Sequence, residues 1–119
     1  MEWFRVARRP DARDVHVAIL DTGVDANHPD LDGVIASYAH DGRSARDFRG
    51  HGTHVAGIVG ARANNGVGIA GVANCMLHVW KVFADPLARG LEEEFDDEAY
   101  NQALAAVLDS PARIVNLSL

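Results

Sequence analysis

Val15-His16-Val17-Ala18-Ile19-Leu20, followed by Asp21-Thr22-Gly23, is a short apolar run that stops at a turn, the pattern of a β-strand. It is apolar on both faces, so it predicts a central strand of a parallel sheet rather than a half-exposed one. Downstream, Asn27-His28-Pro29-Asp30 supplies turn chemistry, and residues 33–38 give a weaker strand. A helix is expected from His51 to Ala63, with Val55, Ile58, Val59 and Arg62 on a 3.6-residue period. Gly57 and Gly60 inside it each cost about 1 kcal/mol relative to Ala, so this helix is expected to pack backbone-close against the sheet.

Met76 to Phe83 reads as the next strand, broken by Asp85-Pro86. Six of the seven residues from Glu92 to Glu98 are acidic, and they lead into Phe95, Ala99, Ala103 and Val107 at helical spacing. That predicts a helix over 93–108 whose first turns set carboxylates at the positive end of the macrodipole. The acidic run is read as a solvated helix start rather than a binding patch. Asp109-Ser110-Pro111 ends the helix, and Arg113 to Leu119 opens another apolar strand. Strands alternating with helices predict an α/β fold, a parallel sheet with helices on both faces and right-handed crossovers. Functional residues in such sheets collect beyond the carboxyl ends of the strands. Asp21 stands at such an end and His51 opens a helix.

Composition narrows the function classes. The 119 residues are 48% hydrophobic and carry a formal net charge of −6, which suits one soluble domain or part of one. With 17 acidic against 11 basic residues there is no basic stripe, so neither nucleic acid nor an anionic membrane is expected as a partner. Cys75 stands alone and is expected to be buried, so compartment cannot be read from disulfides. Met1 to Arg9 alternates apolar and basic residues without the continuous run of a signal peptide, and localisation stays open. Residues 63–80 are uncharged, but Asn64, Asn65, Asn74, His78 and three glycines make them too polar to cross a bilayer.

A strand-end carboxylate and a helix-opening histidine suit acyl transfer, in which the carboxylate fixes the imidazole tautomer and the imidazole takes a proton from a nucleophile. The local sequences sharpen this. Val17-Ala18-Ile19-Leu20-Asp21-Thr22-Gly23-Val24-Asp25, His28-Pro29-Asp30-Leu31 and Gly50-His51-Gly52-Thr53-His54-Val55-Ala56-Gly57 closely resemble the motifs around the catalytic Asp and His of the subtilisin-like serine proteases, the subtilases. Asn64 to Ala73 and Val115-Asn116-Leu117-Ser118-Leu119 continue the resemblance in the family's order. Asp first, then His, is also the chain order of those two residues in subtilisin-type triads.

The resemblance implies that Asp21 orients and His51 acts as general base, with His54 packing or hydrogen-bonding and Asp25 supporting the turn. It implies a division into a lead-in, residues 1–14, and the N-terminal part of a peptidase domain, residues 15–119, that stops before the nucleophile. Neither a Gly-Thr-Ser-Met-like motif nor the oxyanion Asn occurs in these residues, so the chain alone is expected to be inactive. Ser118 and Leu119 fall in the segment that resembles the family's substrate-pairing strand, so they are assigned to binding an extended peptide or protein substrate by β-augmentation. No cofactor is expected for catalysis. A structural calcium is implied, with Asp30 and Asn65 as side-chain ligands and the carbonyls of Ala63, Val67 and Ile69 as companions. The family's Val-Ala-Pro is absent, since Asn74-Cys75 follows Ala73 directly.

Other classes explain less. Ala18 to Gly23 also resembles the Asp-Thr-Gly of retroviral-type aspartic proteases, in which two copies would share a proton, but that nearly all-β fold has no place for the two predicted helices. His51 and His54 could reach one metal ion, yet no Glu lies between them as in hydrolytic zinc helices. The main rival is a noncatalytic binding module, or half of a split protease whose partner is the missing C-terminal half of the domain. As a standalone chain it would leave the edge at 113–119 open to pairing.

Overall fold

The opening run forms β1 (Asp11–Asp21), which starts four residues before the predicted strand. The structure is a computed structural model and describes Arg9 and residues 11–119. Residues 1–8 and 10 lie outside the described residues, and with them most of the expected lead-in and the reading of Met1 to Arg9 as lacking an export signal. Arg9 itself donates to the carbonyls of Ala61 (2.7 Å) and Gly71 (3.0 Å).

β1 pairs in parallel with β3 (Asn74–Lys81) on one side and β6 (Ile114–Asn116) on the other, and β3 pairs in parallel with β2 (Ile35–Ala39). The order β2-β3-β1-β6 makes β1 and β3 the central strands, as the two-faced apolar pattern of β1 predicts. Alternation along β1 feeds two cores. Val17 and Ile19 pack with Leu77, Val79 and Ala56 of α1 (His51–Gly60). Ala18 and Leu20 pack with Ala103 and Val107 of α2 (Asp97–Leu108). Helices therefore cover both faces, and Cys75 is buried in the α1 core as expected.

Several boundaries differ from the sequence reading for identifiable reasons. The helix predicted to Ala63 ends at Gly60, and the next residue, Ala61, is extended with its amide on the Gly57 carbonyl. Of the Val55-Ile58-Val59 stripe, Val55 and Val59 are half-buried against the core, but Ile58 is 48% exposed. Gly52, Ala56, Gly57 and Gly60 face inward. A Cβ on Gly60 would stand 3.3 Å from Val34 and 3.4 Å from Cys75, so small residues, not large ones, let α1 approach the sheet.

The strand predicted over 76–83 is β3 alone. Val82 interrupts it, and β4 (Phe83–Ala84) turns away to pair antiparallel with β5 (Glu94–Phe95). Part of the helix predicted from residue 93 is thus a hairpin strand, with Phe95 edge-on to Phe83. Asp96 is the N-cap of α2, its carboxylate accepting from the Ala99 amide at 3.0 Å, and Asp97 and Glu98 occupy the first turn. The strand predicted over 113–119 shortens to β6. Among the described residues no helix is long and apolar enough to cross a membrane.

Candidate active site

Asp21 ends β1 and His51 begins α1, so both stand at the carboxyl edge of the sheet. The Asp21 side chain is fully buried and the His51 side chain is 46% exposed. Asp21 Oδ1 accepts from His51 Nδ1 and from the Thr22 amide, each at 2.7 Å. Asp21 Oδ2 is buried with no hydrogen-bond partner among the described residues. With Nδ1 held as the donor to Asp21, the neutral ring keeps Nε2 as its acceptor, the tautomer a general base requires.

The helix start is fixed by a residue the sequence reading did not single out. Gly50, the N-cap, has φ 76° and offers no side chain, so the first amides of α1 need other acceptors. Asp47 supplies them. Its Oδ1 accepts from the Gly50 amide (2.9 Å) and Thr22 Oγ1 (2.8 Å), and its Oδ2 from the Thr53 amide (2.9 Å) and Thr53 Oγ1 (2.6 Å). Thr22 Oγ1 in turn accepts from the Gly52 amide at 2.9 Å, tying the turn after Asp21 to the helix that carries His51. Burial pushes the Asp47 carboxyl up, but the hydrogen bonds from Thr53, Thr22 and Gly50 outweigh it and hold it below the ordinary carboxylate range. The local signal was an acidic residue three before Gly50, with threonines directly after Asp21 and two after His51. Gly52 adds a steric condition, because any Cβ there would collide with the Gly23 carbonyl.

The loop carrying Asp47 is anchored from below. The buried Lys81 at the end of β3 donates to the carbonyls of Ser44 (2.9 Å) and Arg46 (2.8 Å) and to Asp85 Oδ1 (2.7 Å). Burial pushes the Asp85 carboxyl up, and the hydrogen bonds from Lys81 and the Ser44 amide bring it below its usual range. Glu93 corrects the reading of the acidic run as wholly solvated. It is buried, neither carboxylate oxygen has a hydrogen-bond partner among the described residues, and burial raises its pKa against the pull of Lys81.

The remaining predicted residues fall into place unevenly. Asp25 Oδ1 accepts from the Asn27 amide at 3.2 Å, as expected of a turn support. His54 is exposed on α1. Ser118 and Leu119 lie just past β6 and are exposed; two positions beyond the Ile19↔Asn116 pair, β1 has reached Asp21 and the neighbouring chain Ser118. Ser118 Oγ accepts from Asn116 Nδ2 at 2.8 Å.

Asp30 and Asn65 do meet, but on each other. Asn65 Nδ2 donates to Asp30 Oδ1 (2.9 Å), the Ile69 amide donates to Asp30 Oδ2 (2.8 Å), and Asn65 Oδ1 accepts from the Val67 amide (3.2 Å). Turning the Asn65 amide over would set oxygen against carboxylate and NH₂ against N–H, so the network defines its orientation. Each Asp30 oxygen accepts one N–H, which leaves acceptor capacity on both, and among the described residues no group of three or more His, Cys, Asp or Glu side chains is placed for a metal. Asn65 Oδ1 also accepts only from the Val67 amide, so Asp30 and Asn65 are the two side chains that would hold a calcium ion, together with backbone carbonyl oxygens.

The comparisons agree with this geometry. The profile of the subtilase family matches residues 12–119. The chain is similar to a thermophilic serine proteinase of Bacillus sp. (strain AK1), 41% identical over 106 residues that cover 87% of this chain and 25% of that protein. It is similar to the cell wall-associated protease of Bacillus subtilis (strain 168), 34% identical over 89% of this chain and 12% of that protein. Thermitase of Thermoactinomyces vulgaris is 47% identical over 60 residues, 48% of this chain and 22% of that protein. The chain thus spans a quarter or less of the length of these relatives.

Proposed function

The chain belongs to the subtilase family, and from that premise we propose that it carries the Asp-His part of a serine endopeptidase site. Asp21 orients His51 and stabilises the imidazolium, and His51 Nε2 takes the proton from a serine as that serine attacks a peptide carbonyl. The observation that carries this reading is the 2.7 Å contact from His51 Nδ1 to a fully buried Asp21 carboxylate, with the other side of the ring open to solvent. The serine and the oxyanion donor would come from residues outside these 119, and an extended peptide would pair near Ser118 and Leu119. In this reading the Asp30–Asn65 loop is closed by its own N–H donors, and no step passes through a metal.

The test is peptidase turnover with an extended peptide substrate. The 119-residue chain alone is expected to give none, and its combination with the remaining subtilase residues, in one chain or as two parts, to restore it. Asp21→Asn in the active form should lower kcat by roughly 10⁴-fold, and His51→Ala by at least as much. Unchanged turnover in either variant would refute the assignment. A second reading, a binding module or split half without activity of its own, is favoured by the open edge at β6, where Ile114 is 52% and Leu119 54% exposed. It is the outcome if the completed protein binds peptide but does not cleave it.

A further inference from the structure

A second serine and histidine are joined on the opposite face of the sheet, far along the strands from Asp21. Ser37 of β2, His78 of β3 and His16 of β1 form a continuous chain: Ser37 Oγ lies 2.7 Å from His78 Nδ1, and His78 Nε2 lies 2.7 Å from His16 Nδ1. The backbone arranges this deliberately. Ile35 pairs with Leu77 and packs in the α1 core, yet Ser37 pairs with His78, because an irregularity between Ile35 and Ser37 shifts the register. That extra residue turns Ser37 onto the α2 face, the re-aiming effect of a β-bulge.

The tautomers follow from the chemistry of imidazole. A neutral imidazole prefers its proton on Nε2, so His78 Nε2–H donates to His16 Nδ1 and His78 Nδ1 is left to accept from the Ser37 hydroxyl. The ring centroids are 5.0 Å apart, the N···N distance plus two ring radii. The nitrogens therefore meet in line, which suits a shared proton and leaves no vertex for a metal. His78 is buried while Ser37 is exposed, so the base is sheltered and the hydroxyl is reachable. Farther along the same face, Ala39 and Trp80 line a cleft of about 60 Å³ with Ala103 of α2 and the charged Asp41, Arg43 and Lys81, and Ser37 stands outside its lining.

We propose that Ser37 is a nucleophile activated by His78 and positioned by His16, and that it takes acyl groups from small activated esters. Ser37 Oγ forms a bond to the acyl carbon as its proton passes to His78 Nδ1; the ester C–O bond breaks, the alkoxide or phenolate leaves, and an acyl-Ser37 remains. The site is independent of the Asp21–His51 pair. His78 is the catalytic base. His16 acts through it as a positioning residue. On this face β1 brings His16, β2 brings Ser37, β3 brings His78 with Trp80 stacked beside it, and α2 brings Tyr100 into the same core. Burial, then His16, lowers the His78 pKa, so the base stays neutral to lower pH than an ordinary histidine.

The test treats the chain with p-nitrophenyl acetate and maps the acetylated residues by peptide mass spectrometry. Acetylation at Ser37 is expected to be roughly 10²-fold faster than at Ser118, which has no histidine base, and to fall by about the same factor in His78→Gln. His16→Gln should slow Ser37 less than His78→Gln does and move its pH midpoint, because the acceptor that holds His78 Nε2–H is replaced; a purely structural residue would leave the midpoint in place. Equal rates at Ser37 and Ser118, or an unchanged rate in His78→Gln, overturns the proposal. Should that variant not fold, the wild-type pH profile decides. A Ser37 rate that levels off above the His78 transition supports the proposal, and one that keeps climbing with hydroxide above neutrality overturns it.

Discussion

Asp47 is the residue on which the site geometry leans most. Four donors converge on its carboxylate, two of them from Thr53 and one from Thr22, so Asp47→Ala leaves the Gly50 and Thr53 amides without their acceptor. Hydrogen bonds to a charged group contribute about 1.5–3 kcal/mol each and do not add fully; a loss of about 3 kcal/mol is expected in a denaturant titration, whereas Asp47→Asn keeps part of it. The sign of the pH effect follows from the lowered carboxyl pKa. The stabilisation is complete above the ordinary Asp value of about 3.9 and is lost as pH falls through the lower folded value. Thermal unfolding followed from neutral pH into acid should therefore show a drop that Asp47→Ala reduces, with the lowered Asp85 and Asp96 carboxyls supplying the rest. Asp21 and His51 were legible because each sits in a local motif at an element boundary. Asp47 was not, because its partners are distributed over the turn after β1 and the first turn of α1.

At the scale of elements, packing overruled periodicity. The spacing of Val55, Ile58 and Val59 reads as an apolar stripe, but the fully buried side is the flat one made by Gly52, Ala56, Gly57 and Gly60, with Val55 and Val59 at its margin and Ile58 exposed. Gly60→Val should accordingly destabilise the chain by about 1–3 kcal/mol through overpacking against Val34, Cys75 and Leu77, while Ile58→Ala, at an exposed position, should change stability little. Thermal melts of the two variants compare these directly. The acidic run divided for a similar reason. Asp96, Asp97 and Glu98 serve the N-terminus of α2, and Asp96→Ala should cost about 1 kcal/mol as a lost cap. Glu92 to Glu94 fell to the hairpin because Phe95 packs on Phe83 and Tyr100, a contact between segments that helical spacing does not report. The loop after α1 gives a further expectation: added calcium or a chelator should leave the melting temperature unchanged if the N–H donors on Asp30 suffice to close the loop, while Asp30→Ala should lower it. A clear rise with calcium would show that the loop opens to admit the ion.

For the molecule as a whole, the sheet has one edge at β2 and another at β6. Ile114, Val115, Leu117 and Leu119 are exposed along the β6 edge and just beyond it, a surface suited to pairing with a further strand. The 119-residue chain is expected to self-associate as its concentration rises, and Val115→Lys to reduce that association, both read by sedimentation. The same edge lies beside Asp21 in strand register, so whatever strand covers β6 also borders the Asp21–His51 pair. A peptide substrate and the rest of a subtilase domain are the two occupants the family reading assigns to this region.

The order of the main strands and helices, the parallel sheet and the choice of Asp21 and His51 as candidate residues came from the sequence alone, because each rests on local information: an apolar run two faces deep, turn residues that stop it, and short motifs of fixed spacing. Which face of α1 is buried, that Glu93 lies inside, that Asp47 holds the helix start and that Ser37 reaches His78 were decided only by the tertiary structure. Each depends on how closely segments far apart in the chain approach one another, and that distance is set by side-chain volume and strand register after the sheet has formed.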